Sequence, residues 1–151
     1  MRLMRGRRSG GTGGSRRPIR IGVAVVVALT AACTGSSTGV SRGDLDGTWH
    51  WVRSTGGIAG GVRTPDTEGH GYELEFDGDS VVLRRPGVLE IVAWTGYTLG
   101  VGEEGSALAG QDVIRYEVSP FGFDEQAIHR AGDQLTLMDP CCDGFTWEFV
   151  K

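Results

Sequence analysis

The chain is poor in the residue patterns that carry catalysis. Among its 151 residues are three histidines and three cysteines. No two histidines stand at the i, i+2 or i, i+4 spacing common in metal sites, and no G-x-S-x-G nucleophile motif occurs. The stretch Gly56–Gly61 is rich in glycine but lacks the Lys-Ser/Thr ending of a phosphate loop. A wide loop is the expectation there, since glycine allows positive φ and close backbone approach. No positive feature favours an enzyme, and neither a metal nor a cofactor is called for. Helical patterning is scarce too: no window from residue 44 onward keeps apolar residues at i, i+3, i+4 and i+7 over ten positions.

Charge is missing in two places, with opposite signs. Residues 1–32 carry seven Arg and no acid. Residues 33–151 carry eight Lys and Arg against nineteen Asp and Glu, a net charge of −11. An acidic folded part excludes a nucleic-acid partner, which needs a basic face. Its charge suits solubility, with capture of a cationic partner as the weaker reading.

The long apolar span of a membrane helix is also absent. Ile21–Ala32 is uncharged but only 12 residues long, roughly 18 Å as a helix, against a hydrocarbon core of about 30 Å. A basic stretch, a short apolar run and small residues at its end read as a secretory signal. The end, Leu29-Thr30-Ala31-Ala32-Cys33, resembles the bacterial lipobox, in which small residues precede a cysteine that is lipidated and becomes the new N-terminus. Thr30 stands where Leu is usual. The alternative is an ordinary signal cut near Ala32, with Cys33 a bystander. Ser15-Arg16-Arg17-Pro18-Ile19-Arg20 resembles a twin-arginine export motif. Residues 34–42, TGSSTGVSR, have the composition of a flexible tether.

From Asp44 onward, short alternating runs lie between Gly, Asp and Pro clusters, and these predict about eight strands. They are Gly47–Ser54, Tyr72–Asp77, Ser80–Arg85, Val88–Val101, Asp112–Val118, Phe123–Arg130, Gln134–Asp139 and Phe145–Lys151. Gly96 predicts a bulge or bend in the fourth. Asp77-Gly78-Asp79 and Ala131-Gly132-Asp133 predict tight turns, and Asp143-Gly144 predicts a hairpin turn with Gly144 at positive φ. Alternation in YELEFD, QLTLMD and FTWEFV sets Leu74, Phe76, Leu137, Trp147 and Phe149 on inward faces. Trp49 and Trp51 share a face of the first strand. Many short strands joined by tight turns favour an all-β antiparallel meander that closes on itself, or a sandwich.

Gly47-Thr48-Trp49 resembles the G-x-W signature that opens lipocalins and other calycins. With Gly56-Gly57-Ile58-Ala59-Gly60 and the closing pieces Asp139-Pro140-Cys141-Cys142-Asp143-Gly144-Phe145 and Phe149-Val150-Lys151, the chain resembles small lipocalin-like bacterial envelope domains. The resemblance spans residues 45–151 in scattered pieces. It implies a lipoprotein signal peptide (1–32), a tether (33–43) and an up-and-down barrel of about eight strands (44–151), the segments before the barrel being disordered. It also implies that Trp49 packs at the closed end under a basic residue of the last strand, a role open to Lys151. The alternative makes Trp49 plain core and Lys151 a frayed terminus. No activity comes with the resemblance.

The sequence thus leads to an exported protein, lipid-anchored through Cys33 to the outer face of the bacterial cell membrane. Its barrel interior, with Trp49, Leu74, Phe76, Leu137, Trp147 and Phe149, is the candidate site for a small, partly apolar ligand. The bulk of these side chains also fits a filled barrel acting as a structural or protein-interaction domain. For Cys141 and Cys142 three readings stand open: two buried thiols, a vicinal disulfide, or a reactive or metal-binding pair. Neighbouring Cα atoms lie about 3.8 Å apart, short of the roughly 4.4–6.8 Å of ordinary disulfides.

Overall fold

The computed structural model describes residues 39–88 and 90–151. The signal segment 1–32, Cys33 and residues 34–38 of the tether lie outside the described residues. The strands are β1 (Gly47–Gly56), β2 (Gly61–Arg63), β3 (Glu73–Asp77), β4 (Ser80–Arg85), β5 (Glu90–Val101), β6 (Asp112–Tyr116), β7 (Glu125–Ala131), β8 (Gln134–Met138) and β9 (Phe145–Val150). All neighbours are antiparallel. β9 returns to β1, from His50 opposite Val150 to Gly56 opposite Phe145. That pairing closes eight strands, all but β2, into an up-and-down barrel. β2 lies beside the far half of β1, on the stretch Ser54–Gly56 that β3 leaves unpaired.

The period-two pattern explains the interior. Trp49, Leu74, Phe76, Leu137 and Phe149 are all buried, with Val81, Leu83, Tyr97, Ile114 and Ile128 completing the core. Phe76 meets Tyr97 edge to face at 5.3 Å between ring centroids, a favoured aromatic geometry. An eight-stranded barrel is just wide enough for such side chains to fill it. The outer wall carries cross-strand ion pairs, among them Arg53 with Glu148 at 2.9 Å and Arg115 with Glu125 at 2.9 Å.

Two one-residue irregularities reset the alternation. The first is in β1, where Val52 and Arg53 together face the single Glu148 position between Trp51 and Ser54. Without it Arg53 would follow Trp49 and Trp51 inward; with it Ser54 turns inward and Arg53 reaches Glu148 outside. The second is in β5, where Val92 is the extra residue between Ala93 and Ile91. This corrects the expected bulge at Gly96. The register runs through Gly96 unbroken, and a Cβ there would meet the Glu117 carboxylate at 2.6 Å.

Turn chemistry holds at two of three expected places. Gly78 and Gly132 begin two-residue hairpin loops with φ of 61° and 60°, as primed turns require. Gly144 differs: it is not among the positive-φ glycines. It closes a turn by donating its N–H to the Cys141 carbonyl at 3.0 Å. A Cβ at Gly144 would collide with Asp139 Cβ and with the Cys141 carbonyl, so crowding rather than φ demands glycine there. The Gly56–Gly61 stretch is also tighter than a wide loop: it is the tip of the β1–β2 hairpin, where Gly60 donates to the Gly57 carbonyl at 2.9 Å.

Two single-turn helices, α1 (Arg42–Leu45) and α2 (Pro65–Glu68), were beyond the reach of periodicity because each is only four residues long. Both carry capping boxes. α1 stoppers the closed end of the barrel. Trp49 Nε1 donates to the Leu45 carbonyl at 2.6 Å. Lys151 Nζ donates to the Asp46 carbonyl at 2.7 Å and stands 5.1 Å from the centre of the Trp49 ring. Arg130 holds Asp44 at 3.2 Å. Trp49 is therefore core at the closed end, and Lys151 is a latch rather than a frayed terminus.

Candidate functional site at the barrel mouth

The opposite end is ringed by the connections β1–β2, β2–β3, β4–β5, β6–β7 and β8–β9. Here the inward faces of several strands converge on aromatic rings. β1 supplies Trp51 and, through its bulge, Ser54; β9 supplies Trp147, directly opposite Ser54 in the register. Trp51 lies 5.5 Å from Tyr72 and 6.3 Å from Trp147, centroid to centroid. Phe121, from the β6–β7 connection, folds back over Trp147 at 4.9 Å. Between these rings is a hollow of about 200 Å³ bounded by Tyr72, Leu83, Val92, Pro120, Phe121 and Trp147. It is smaller than the roughly 300–1,000 Å³ of drug-sized sites.

Beneath this ring runs a buried polar chain. The Tyr116 hydroxyl donates to Gln126 Oε1 at 2.9 Å, and Gln126 Nε2 donates to Asp139 Oδ1 at 2.6 Å. The other oxygen of Asp139 accepts from the Phe145 N–H at 2.7 Å. Burial, with the Asp139 charge second, pushes the Tyr116 hydroxyl well above its ordinary range. It stays protonated and donates. The chain pins the start of β9 to β8 and holds the rim turn in place. Each of these three side chains has a partner, as low local dielectric demands.

The six residues expected to form the interior do not act alike. Trp49, Leu74, Phe76, Leu137 and Phe149 are packed against one another below the mouth, whereas Trp147 is half-buried and borders the hollow. Sequence reasoning left out Tyr72 and Leu83, which border the hollow, and Arg85, whose guanidinium lies 5.9 Å from the centre of the Tyr72 ring. Arg85 was legible, because alternation in SVVLRR continues the Val81–Leu83 face to Arg85. Phe121, in a connection with no period, carried no such signal, and the inward turn of Ser54 depends on a bulge.

Cys141 and Cys142 are both exposed, unbonded thiols. The two-buried-thiol reading is thereby corrected, because the rim turn faces solvent. His50 pairs with Glu73 at 3.1 Å, and His70 Nε2 lies 2.9 Å from the Tyr72 hydroxyl. Among the described residues no three His, Cys, Asp or Glu side chains converge as a metal site, and no helix is long and apolar enough to cross a membrane.

No protein-family model matches the chain, and no curated protein or solved structure matches it.

Proposed function

We propose that this chain is a lipid-anchored cell-envelope protein with a lipocalin-like barrel, and that the barrel mouth receives a small, partly apolar ligand. The observation that carries the ligand reading is the aromatic hollow under Phe121, with Trp147 and Tyr72 as its walls. Its size suits a fragment-sized molecule, or one end of a longer one. The lipocalin-like part rests on the closed meander and on Trp49 under Lys151. The anchor rests on the basic stretch, the short apolar run and Cys33. Carriage of a fatty chain on Cys33 predicts that Cys33→Ala moves the protein out of the membrane fraction or leaves it unprocessed. Unchanged fractionation, with no fatty acid label on the wild type, would refute the anchor. Ligand binding is tested by quenching of tryptophan fluorescence with small apolar compounds; Trp51 and Trp147 report on the mouth. Absence of any response across aromatic and aliphatic compounds would refute the carrier.

One feature favours the second reading, a filled barrel acting as a protein-interaction domain. Trp94 stands on the outer wall of β5, 68% exposed, beside the exposed Ile91 and Val118. Trp94→Ser tests it: loss of co-purifying protein with an unchanged ligand response would assign recognition to the wall.

A further inference from the structure

The mouth is short of hydrogen-bond acceptors. Five buried side-chain polar atoms lack a partner among the described residues, and four of them belong to mouth residues: Trp51 Nε1, Ser54 Oγ, Arg85 Nε and Trp147 Nε1. All four can donate, and the three nitrogens can do nothing else. Their residues are neighbours around the mouth, and one of them, Trp147, borders the hollow itself. Ser54 faces Trp147 in the β1–β9 register, Trp147 lies 6.3 Å from Trp51, Trp51 lies 5.5 Å from Tyr72, and the Arg85 guanidinium lies 5.9 Å from Tyr72. Arg85 is the next inward position after Leu83, which borders the hollow. Its Nη1 is held by Glu90 at 3.4 Å, while Nε is left without a partner. No carboxylate borders the hollow.

A buried donor without a partner costs desolvation energy that an incoming acceptor returns. Two indole N–H groups, one hydroxyl and the Nε–H of Arg85, whose charge is shared with Glu90, therefore favour an acceptor-rich, negatively charged head, and the aromatic walls favour a flat apolar body. Resting on the carrier reading, we infer that the mouth binds a small aromatic carboxylate. The ring lies between Trp147, Tyr72 and Phe121, and the carboxylate lies at the rim toward Arg85. The hollow, about 200 Å³, is of the size of a single ring-sized body. At the closed end the Trp49 indole is spent on the Leu45 carbonyl, and the one orphan among the described residues, Arg130 Nε, belongs to a guanidinium held by Asp44.

The test is calorimetric titration of the full chain with three compounds sharing one body: phenylacetate, phenethyl alcohol and phenethylamine. Phenylacetate is expected to bind about tenfold or more tightly than the alcohol, since charge-assisted hydrogen bonds are roughly twice as strong as neutral ones, and the amine is expected to bind weakest. Arg85→Gln should weaken phenylacetate about tenfold while leaving the alcohol unchanged. Trp147→Phe, which keeps a ring and removes the N–H, should weaken both acceptor-bearing compounds. Equal binding of phenylacetate and phenethyl alcohol overturns the carboxylate assignment and leaves the carrier standing. Tighter binding of the amine also overturns it. Failure of all three to bind overturns the carrier along with it. The ligand series needs no variant, so a misfolded substitution does not blunt the test.

Discussion

The two ends of the barrel are built from the same materials and finished in opposite ways. Each has a buried tryptophan and a basic side chain near an aromatic ring. At the closed end Trp49 gives its N–H to Leu45, Lys151 gives its ammonium to Asp46, and α1 fills the opening. At the mouth Trp51 and Trp147 keep unpartnered N–H groups, Arg85 keeps an unpartnered Nε, and a hollow remains. A satisfied donor stabilises the fold; an unsatisfied one costs stability until something else accepts from it. The difference teaches that residue type alone does not separate core from site. What separates them is the hollow and the two unpartnered indoles beside it; an arginine with one edge on a carboxylate and an orphan Nε stands at each end, Arg130 at the closed one and Arg85 at the mouth.

That contrast can be broken by substitution. The largest effect is expected in the packed region: Phe76→Ala should destabilise by about 3–5 kcal/mol, the range for removing a buried aromatic. Chemical denaturation measures it, and a cost similar to that of a surface change would mean that the interior is loose. Next comes Trp147→Ala at the mouth, expected to cost about half as much because the ring already borders empty space and solvent. It should abolish the ligand response at the same time. A loss as large as at Phe76 would make Trp147 ordinary core.

Smaller effects sharpen the closed end. Lys151→Met keeps a long apolar stem but removes the charge over Trp49 and the bond to Asp46. The expected cost is about 1 kcal/mol, from a cation–π contact and one hydrogen bond, and ligand binding at the far end should be untouched. The smallest effect concerns acid. The Ser41 hydroxyl and backbone N–H donate to the Asp44 carboxylate, which holds its pKa below the ordinary 3.8. A lowered folded value stabilises above 3.8 and is lost as pH falls through the folded value. Thermal unfolding followed from pH about 6 to about 2.5 should therefore fall slightly more steeply for the wild type than for Asp44→Asn. Identical profiles would show that the α1 cap contributes nothing.

Much of the barrel was legible because alternation and turn chemistry are local facts repeated along the chain. YELEFD, QLTLMD and FTWEFV each announce one inward face, and the Gly78 and Gly132 turns announce their hairpins. Gly144 misled because Asp-Gly is a turn signal for two different reasons. Here the reason is crowding against Asp139, a residue whose burial depends on Gln126 of another strand. The thiols at Cys141 and Cys142 misled because pairing was weighed by bond geometry, while their exposure follows from where the rim turn sits.

By itself the sequence determined the all-β class, the eight strands of the barrel and the inward faces of YELEFD, QLTLMD and FTWEFV, because a period of two needs no distant information; the partnership of Trp49 with Lys151 was only implied by a resemblance. Tertiary structure alone decided which inward residues are filled core and which face a hollow. That division depends on a bulge that turns Ser54 inward, a second that brings Val92 to the rim, and an aperiodic connection that lays Phe121 across Trp147. Each is a contact between segments far apart in the chain, and its energy exists only once the barrel has closed.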